Sequence, residues 1–113
     1  MEGSCLFCKI VAGEIPSARV AESESCYAFR DINPQAPTHV LVIPRAHVES
    51  LNDLDDPKLA ADLFALARSV AAQEGLAEPG YRVAINTNKN GGQMVHHLHL
   101  HVLGGRQMKW PPG

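Results

Sequence analysis

The chain has 113 residues, 45% of them apolar and 19% charged, and a formal charge of −2. That length gives room for one domain spanning residues 1–113, and so balanced a charge argues against both a nucleic-acid surface built on bulk charge and a disordered acidic tail. No apolar run approaches the ~20 residues of a membrane span, and the start MEGSCLFCKI lacks a signal-peptide pattern. With three cysteines, two of them only three residues apart, the sequence does not read as a secreted disulfide framework, so a cytoplasmic protein is expected.

In chain order, LFCKIVAGEI (6–15) places Leu6, Ile10 and Val11, with Phe7 beside them, on a short helix that ends near Gly13 and is stopped by Pro16. ARVAESESCYAFRDI reads as two strand pieces around the polar ESES turn, the better one at Cys26–Phe29. The two prolines of NPQAP suit neither helix nor ladder and predict a loop. THVLVIP (38–44) is β-branched in the manner of a central strand. Asp56 as N-cap, Pro57 at the first helical position and Gly75 as the stop delimit a long helix over about 57–74, with Leu59, Leu63, Leu66, Ala67 and Val70 as its apolar stripe. YRVAIN (81–86) reads as a strand, NTNKNGGQ as a loop, MVHHLHLHVLG as a second strand and GRQMKWPPG as an irregular tail. Strands grouped around one long helix predict an α+β fold with a mostly antiparallel sheet, one face of which the helix covers.

Four of the six histidines fall within residues 96–101. On a strand, His97, His99 and His101 share one face and Leu98, Leu100 and Val102 the other, while His96 has the wrong parity to join the row. Such a row is a solvated His-rich face, a metal site or a pair of catalytic imidazoles. The strand alone ranks metal and catalysis equal. The preceding Asn90-Gly91-Gly92-Gln93 tips the reading to catalysis, because consecutive glycines let backbone N–H groups approach an anion and cradle a phosphate beside a nucleophile.

His97-Leu98-His99-Leu100-His101-Val102-Leu103 resembles the signature of the histidine triad (HIT) superfamily, three histidines each followed by an apolar residue. FRDINPQAPTHVLVIPRAH (29–47), YRVAIN (81–86), GGQ (91–93) and LGGRQMKWPPG (103–113) are similar to its HINT branch, the purine nucleoside phosphoramidases. The resemblance covers nearly the whole chain. It implies a HIT-like α+β subunit with a short N-terminal and a long central helix, paired as a homodimer with one sheet running across both subunits. It also implies binding of a purine nucleoside monophosphate and hydrolysis of a phosphorus–nitrogen bond through a nucleotidyl-histidine.

By the same resemblance His99 is the nucleophile, His101 contacts the phosphate and helps the leaving group, and His39 supports them. Asp31 would accept the ribose hydroxyls, Phe29 and Ile32 would flank the base, and Asn86, Gly92 and Gln93 would line the phosphate side. Trp110 would reach the partner's active site. Met94 stands where eukaryotic members carry a serine, so only its backbone N–H carries over to the nucleotide site. Arg30 stands where a histidine is common beside the base, which bears on substrate preference.

Cys5 and Cys8 form a single CxxC, readable as two buried thiols or as half of a zinc site that needs four N/S ligands. The resemblance implies a structural Cys2His2 zinc site as in several bacterial members, completed by His47 and His97. Cys26 has no partner in that scheme and reads as a buried small apolar residue. Three rival functions are a dinucleoside polyphosphate hydrolase, a non-enzymatic purine nucleotide-binding module, and a metalloenzyme holding one open zinc on all three histidines. No nucleic acid or membrane is expected as a partner.

Overall fold

Thr38–Pro44 (β3) is buried along all but its first residue, and the fold is built outward from it. The computed structural model describes residues 4–113. The antiparallel hairpin partner of β3 is Cys26–Arg30 (β2), and Arg19–Glu22 (β1) lies outside β2. On the other side β3 pairs with Leu100–Gly104 (β5), which pairs in turn with the edge strand Tyr81–Ala84 (β4). The result is a five-stranded antiparallel sheet in the order β1-β2-β3-β5-β4. With its helices it makes the expected α+β fold with an antiparallel sheet.

The helix Pro57–Gln73 (α2) begins and ends as its sequence signals require. The Asp56 carboxylate accepts from the N–H groups of Lys58 and Leu59 at 3.0 and 3.4 Å, with Pro57 at the position where no N–H is needed. At the other end Gly75 adopts φ +76°, while Leu76 N–H reaches Ala71 O and Gly75 N–H reaches Ala72 O, closing the last turn. Leu63, Leu66, Ala67, Val70 and Ala71 pack on Cys26, Ala28, Val40, Val42, Leu100 and Val102. Each fully buried aliphatic side chain there is worth about 1.5–3 kcal/mol relative to exposure. Leu59, expected on the stripe, is only partly buried, and Ala71 completes the stripe instead.

The expectation of one covered face is corrected. Phe7 and Ile10 of the short helix Leu6–Val11 (α1) lie on one side of that helix and pack on Phe29, Leu41 and Ile43, so β3 is enclosed on both faces. Two boundaries also differ. The loop after β4 holds one helical turn, Asn88–Gly91 (α3), ended by Gly92 at φ +78°. The histidine strand enters the ladder only at Leu100, paired with Val42. Two residues further along β3, Pro44 has no N–H to offer, and its carbonyl instead accepts from Nε2 of His97 at 2.8 Å. The alternation of side chains nevertheless persists through residues 97–102. Leu98, Leu100 and Val102 join the core under α2, and the imidazoles point to the side covered by α1. Among the described residues no helix is long and apolar enough to cross a membrane.

Candidate active site

The imidazole row is not solvated: His97 is fully buried and His99 is 7% exposed. The Phe7 ring meets His99 edge-on with centroids 5.1 Å apart, and His99 and His101 are 4.9 Å apart. Nδ1 of His99 lies 2.7 Å from the carbonyl oxygen of His97. A carbonyl can only accept, so Nδ1 carries the proton and Nε2 of the neutral ring keeps its lone pair. Burial holds His99 below the ordinary histidine range, against the opposing pull of the His97 carbonyl and Asp31. An uncharged imidazole with one committed N–H and one free lone pair is a nucleophile at neutral pH.

Behind it, Nε2 of His39 is 2.9 Å from Nδ1 of His101 and 3.5 Å from a carboxylate oxygen of Asp31. Burial lowers the pKa of His39 and pushes that of His101 from 6.5 to about 4, with the neighbouring imidazoles adding to the His101 shift and Asp31 opposing both. His101 is therefore expected to stay mostly neutral at pH 5.5, a state that nitrogen-15 chemical shifts of its ring report directly. The unfolded chain takes up that proton near 6.5, whereas the folded chain does so only near 4. The contribution of His101 to stability is thus present above pH 6.5 and lost as the pH falls through that interval.

These groups open into a cavity of about 400 Å³, within the range of small-ligand sites. Its lining combines apolar side chains, Phe7, Ile10, Ile15, Pro16, Phe29 and Ile32 among them, with the polar or small groups Asp31, His39, Asn86, Gly92, His99 and His101, and Met94 also borders it. Nine of the residues singled out for catalysis or nucleotide contact thus line one pocket: Phe29, Asp31, Ile32, His39, Asn86, Gly92, Met94, His99 and His101. Ile32 and Met94 are 97% and 88% exposed, so they form the rim rather than the floor.

Two expectations are corrected, those for Gln93 and Arg30. Gln93 does not line the cavity; its amide NH2 donates to Glu49 O and Val95 O and its amide oxygen accepts from Asn88 N–H, so it braces the loop from within. Trp110, expected at a partner's site, is 81% exposed and lies outside the pocket of its own chain. Arg30 has the same parity on β2 as Cys26 and Ala28, points to the α2 side and forms a two-pronged ion pair with Glu74 at 2.9 and 3.1 Å, away from any base. The apolar wall from Phe7 to Pro16 is what sequence reasoning missed. The signal that could have found it is the three-residue spacing of Phe7 and Ile10, which puts both on one side of α1.

Next to this pocket, on the far side of His97, one donor atom from each of Cys5, Cys8, His47 and His97 lies within 4.8 Å of the others. Nδ1 of His97 is 3.3 Å from the Cys5 sulfur and 3.5 Å from that of Cys8, and Nδ1 of His47 is 3.3 Å from Cys8. Tetrahedral zinc with ordinary Zn–S and Zn–N bonds puts its sulfur and nitrogen ligands roughly 3.6 Å apart, so the donor set fits such an ion closely. His97 donates Nε2–H to Pro44 O, which leaves Nδ1 as the ligating lone pair. Cys26, by contrast, is wholly buried in the main core, where burial raises its thiol pKa.

Residues 12–108 match the HIT domain family. The chain is 44% identical over 110 residues to the purine nucleoside phosphoramidase of Escherichia coli, covering 96% of this chain and 92% of that one. It is 51% identical over 113 residues to a 14 kDa zinc-binding protein of Zea mays, covering 96% and 87%. Among solved structures, a HIT family hydrolase from Legionella pneumophila Philadelphia 1 superposes with a TM-score of 0.94 at 54% identity, covering 97% of this chain and all of that one.

Proposed function

The chain belongs to the HIT domain family and is an enzyme of it, a hydrolase; from that premise we propose that it cleaves the phosphorus–nitrogen bond of purine nucleoside phosphoramidates. The observation that carries the reading is the free Nε2 of a buried, neutral His99, with its Nδ1–H anchored on the His97 carbonyl, facing a cavity that has a carboxylate and an apolar slot. Asp31 accepts the ribose hydroxyls, the base lies between Phe29 and Ile32, and the phosphate faces Asn86, Gly92, the backbone of Met94 and His101. The Gly92 carriage at φ +78° lets the backbone pass close to the anion.

In the first step Nε2 of His99 bonds to phosphorus and the P–N bond breaks, its electron pair leaving on nitrogen, which departs as the amine with a proton drawn from solvent. The positive charge that arises on the ring is met by the Nδ1–H···O=C bond to His97, and His101 donates a hydrogen bond to the phosphoryl or leaving group. In the second step water attacks phosphorus, the electron pair returns to Nε2, and one proton goes back to solvent. The sum is amine plus nucleoside monophosphate. His39 fixes the ring of His101 throughout.

Cys5, Cys8, His47 and His97 would hold zinc, and four protein ligands with no open position make it structural. When bound it ties α1, and with it Phe7, to the segment that carries His99. The homodimer reading draws support from β4, one of the two outer strands, whose Tyr81 and Val83 are 38% and 36% exposed and whose free edge suits a second copy. In that assembly Trp110 would serve the partner's pocket.

The test is to incubate the protein with an AMP-amine conjugate, follow amine release and examine quenched protein by mass spectrometry. A nucleotidyl group on the peptide bearing His99 is expected; binding without turnover would leave a nucleotide-binding module. Asp31→Ala is expected to weaken binding of ribonucleotides by about 1–3 kcal/mol, the cost of hydrogen bonds to a charged acceptor, and to leave deoxyribonucleotides less affected. Calorimetric titration with the two sugars checks this, and equal affinities for both in the parent would place the ribose elsewhere.

A further inference from the structure

The backbone of Gln35 is gripped from both sides, through its N–H and through its carbonyl. Its N–H donates to Nδ1 of His39 at 3.0 Å, and its carbonyl accepts from Nε and Nη2 of Arg106, in the C-terminal tail, at 3.3 and 3.1 Å. A backbone N–H can only donate, so Nδ1 of His39 presents a lone pair and the neutral ring carries its proton on Nε2. That Nε2 is 2.9 Å from Nδ1 of His101, which must accept. The proton of His101 is left on Nε2. Among the described residues this atom is the buried side-chain nitrogen without a hydrogen-bond partner, on a ring that lines the cavity. A buried N–H with no partner is costly unless something else supplies the acceptor. Phosphoryl oxygens in the cavity would do so.

We propose that the Gln35 backbone and Arg106 are positioning groups that, acting through His39, dictate which nitrogen of His101 holds its proton and so aim a donor rather than a lone pair at the phosphoryl group. A lone pair there would repel the phosphoryl oxygens, whereas a preorganised donor attracts the charge that builds on them. The inference rests on reading the cavity as a phosphoryl-transfer site. It has a second consequence. Asp31, His39 and His101 each offer an atom within 4.8 Å of the others, as a cation site would require, but Nε2 of His39 is occupied by its proton and cannot ligate.

The experiment is long-range proton–nitrogen-15 correlation of the imidazoles, run on the intact protein alongside steady-state kinetics with an AMP-amine conjugate, for the parent, Arg106→Ala and Arg106→Lys. In the parent, His39 and His101 are both expected to carry the proton on Nε2. In Arg106→Ala the two rings are expected to show mixed tautomers and kcat to fall by about tenfold, a part of the hundredfold or more that a positioned proton donor supplies, with KM changed by less than about twofold. Arg106→Lys, which keeps one donor for the Gln35 carbonyl, is expected to recover most of both signals. A proton on Nδ1 of either ring in the parent overturns the proposal. So does an unchanged kcat in Arg106→Ala, or a fall in kcat with the ring signals unmoved. Failure of the parent to turn over any phosphoramidate would instead sink the functional reading, while the ring signals would still report the tautomers.

Discussion

His99→Ala is expected to reduce turnover of an AMP-amine conjugate by at least about ten-thousand-fold and to leave nucleotide affinity within a few-fold of the parent. The ring contributes the attacking lone pair, and no second imidazole can replace it. Nδ1 of His101 is spent on His39, and His97 faces the cysteines with one nitrogen and Pro44 with the other. Ribose and base contacts lie on Asp31, Phe29 and Ile32, none of which depends on the lost ring for its backbone position. Rapid-quench kinetics and equilibrium titration separate the two quantities. Turnover close to that of the parent would transfer the nucleophilic role to another group.

Cys8→Ser is expected to abolish zinc binding and to destabilise the protein by roughly 3 kcal/mol or more, since metal affinity for a preformed site is folding free energy. For a chain of this size that corresponds to a drop in melting temperature of about 10–20 °C. The reason lies in what the cluster joins: Cys5 caps α1 and Cys8 lies on it, His47 follows β3, and His97 leads into β5. Elemental analysis should give one zinc per chain in the parent and none in the variant, and thermal unfolding gives the stability change. Chelation is expected to inactivate through loosening of the fold. Instant loss of activity with the fold intact would favour a metal on the histidine row, and an unchanged melting temperature would deny the cluster a structural role.

How far the site was legible depends on the range over which its signals act. Asp56-Pro57 and Gly75 act within one helical turn, and they placed α2 to within a residue or so. The alternation His97-Leu98-His99-Leu100-His101 is likewise local, and it assigned the imidazoles and the leucines to opposite sides even where the ladder stops before His99. Gln93 and Arg30 were harder to place. Both are polar and both stand in or beside motifs, and nothing in their neighbours reveals that one turns back onto Glu49 O and Val95 O and the other across to Glu74.

What the sequence by itself determined is the strands and the long helix, the antiparallel α+β class and the sidedness of the histidine row, because periodicity, capping and residue type are properties of short stretches. The tertiary structure alone decided that the row is buried under Phe7 and that the Gln35 backbone and a guanidinium at Arg106 stand behind His39, and it brings Cys5 and Cys8 to His47 and His97, a grouping that only the family resemblance had implied. Apart from the Gln35–His39 bond, each of those contacts joins residues far apart along the chain. Whether they form is set by how α1 and the tail close over the sheet, which depends on the packing of the whole molecule rather than on any local preference.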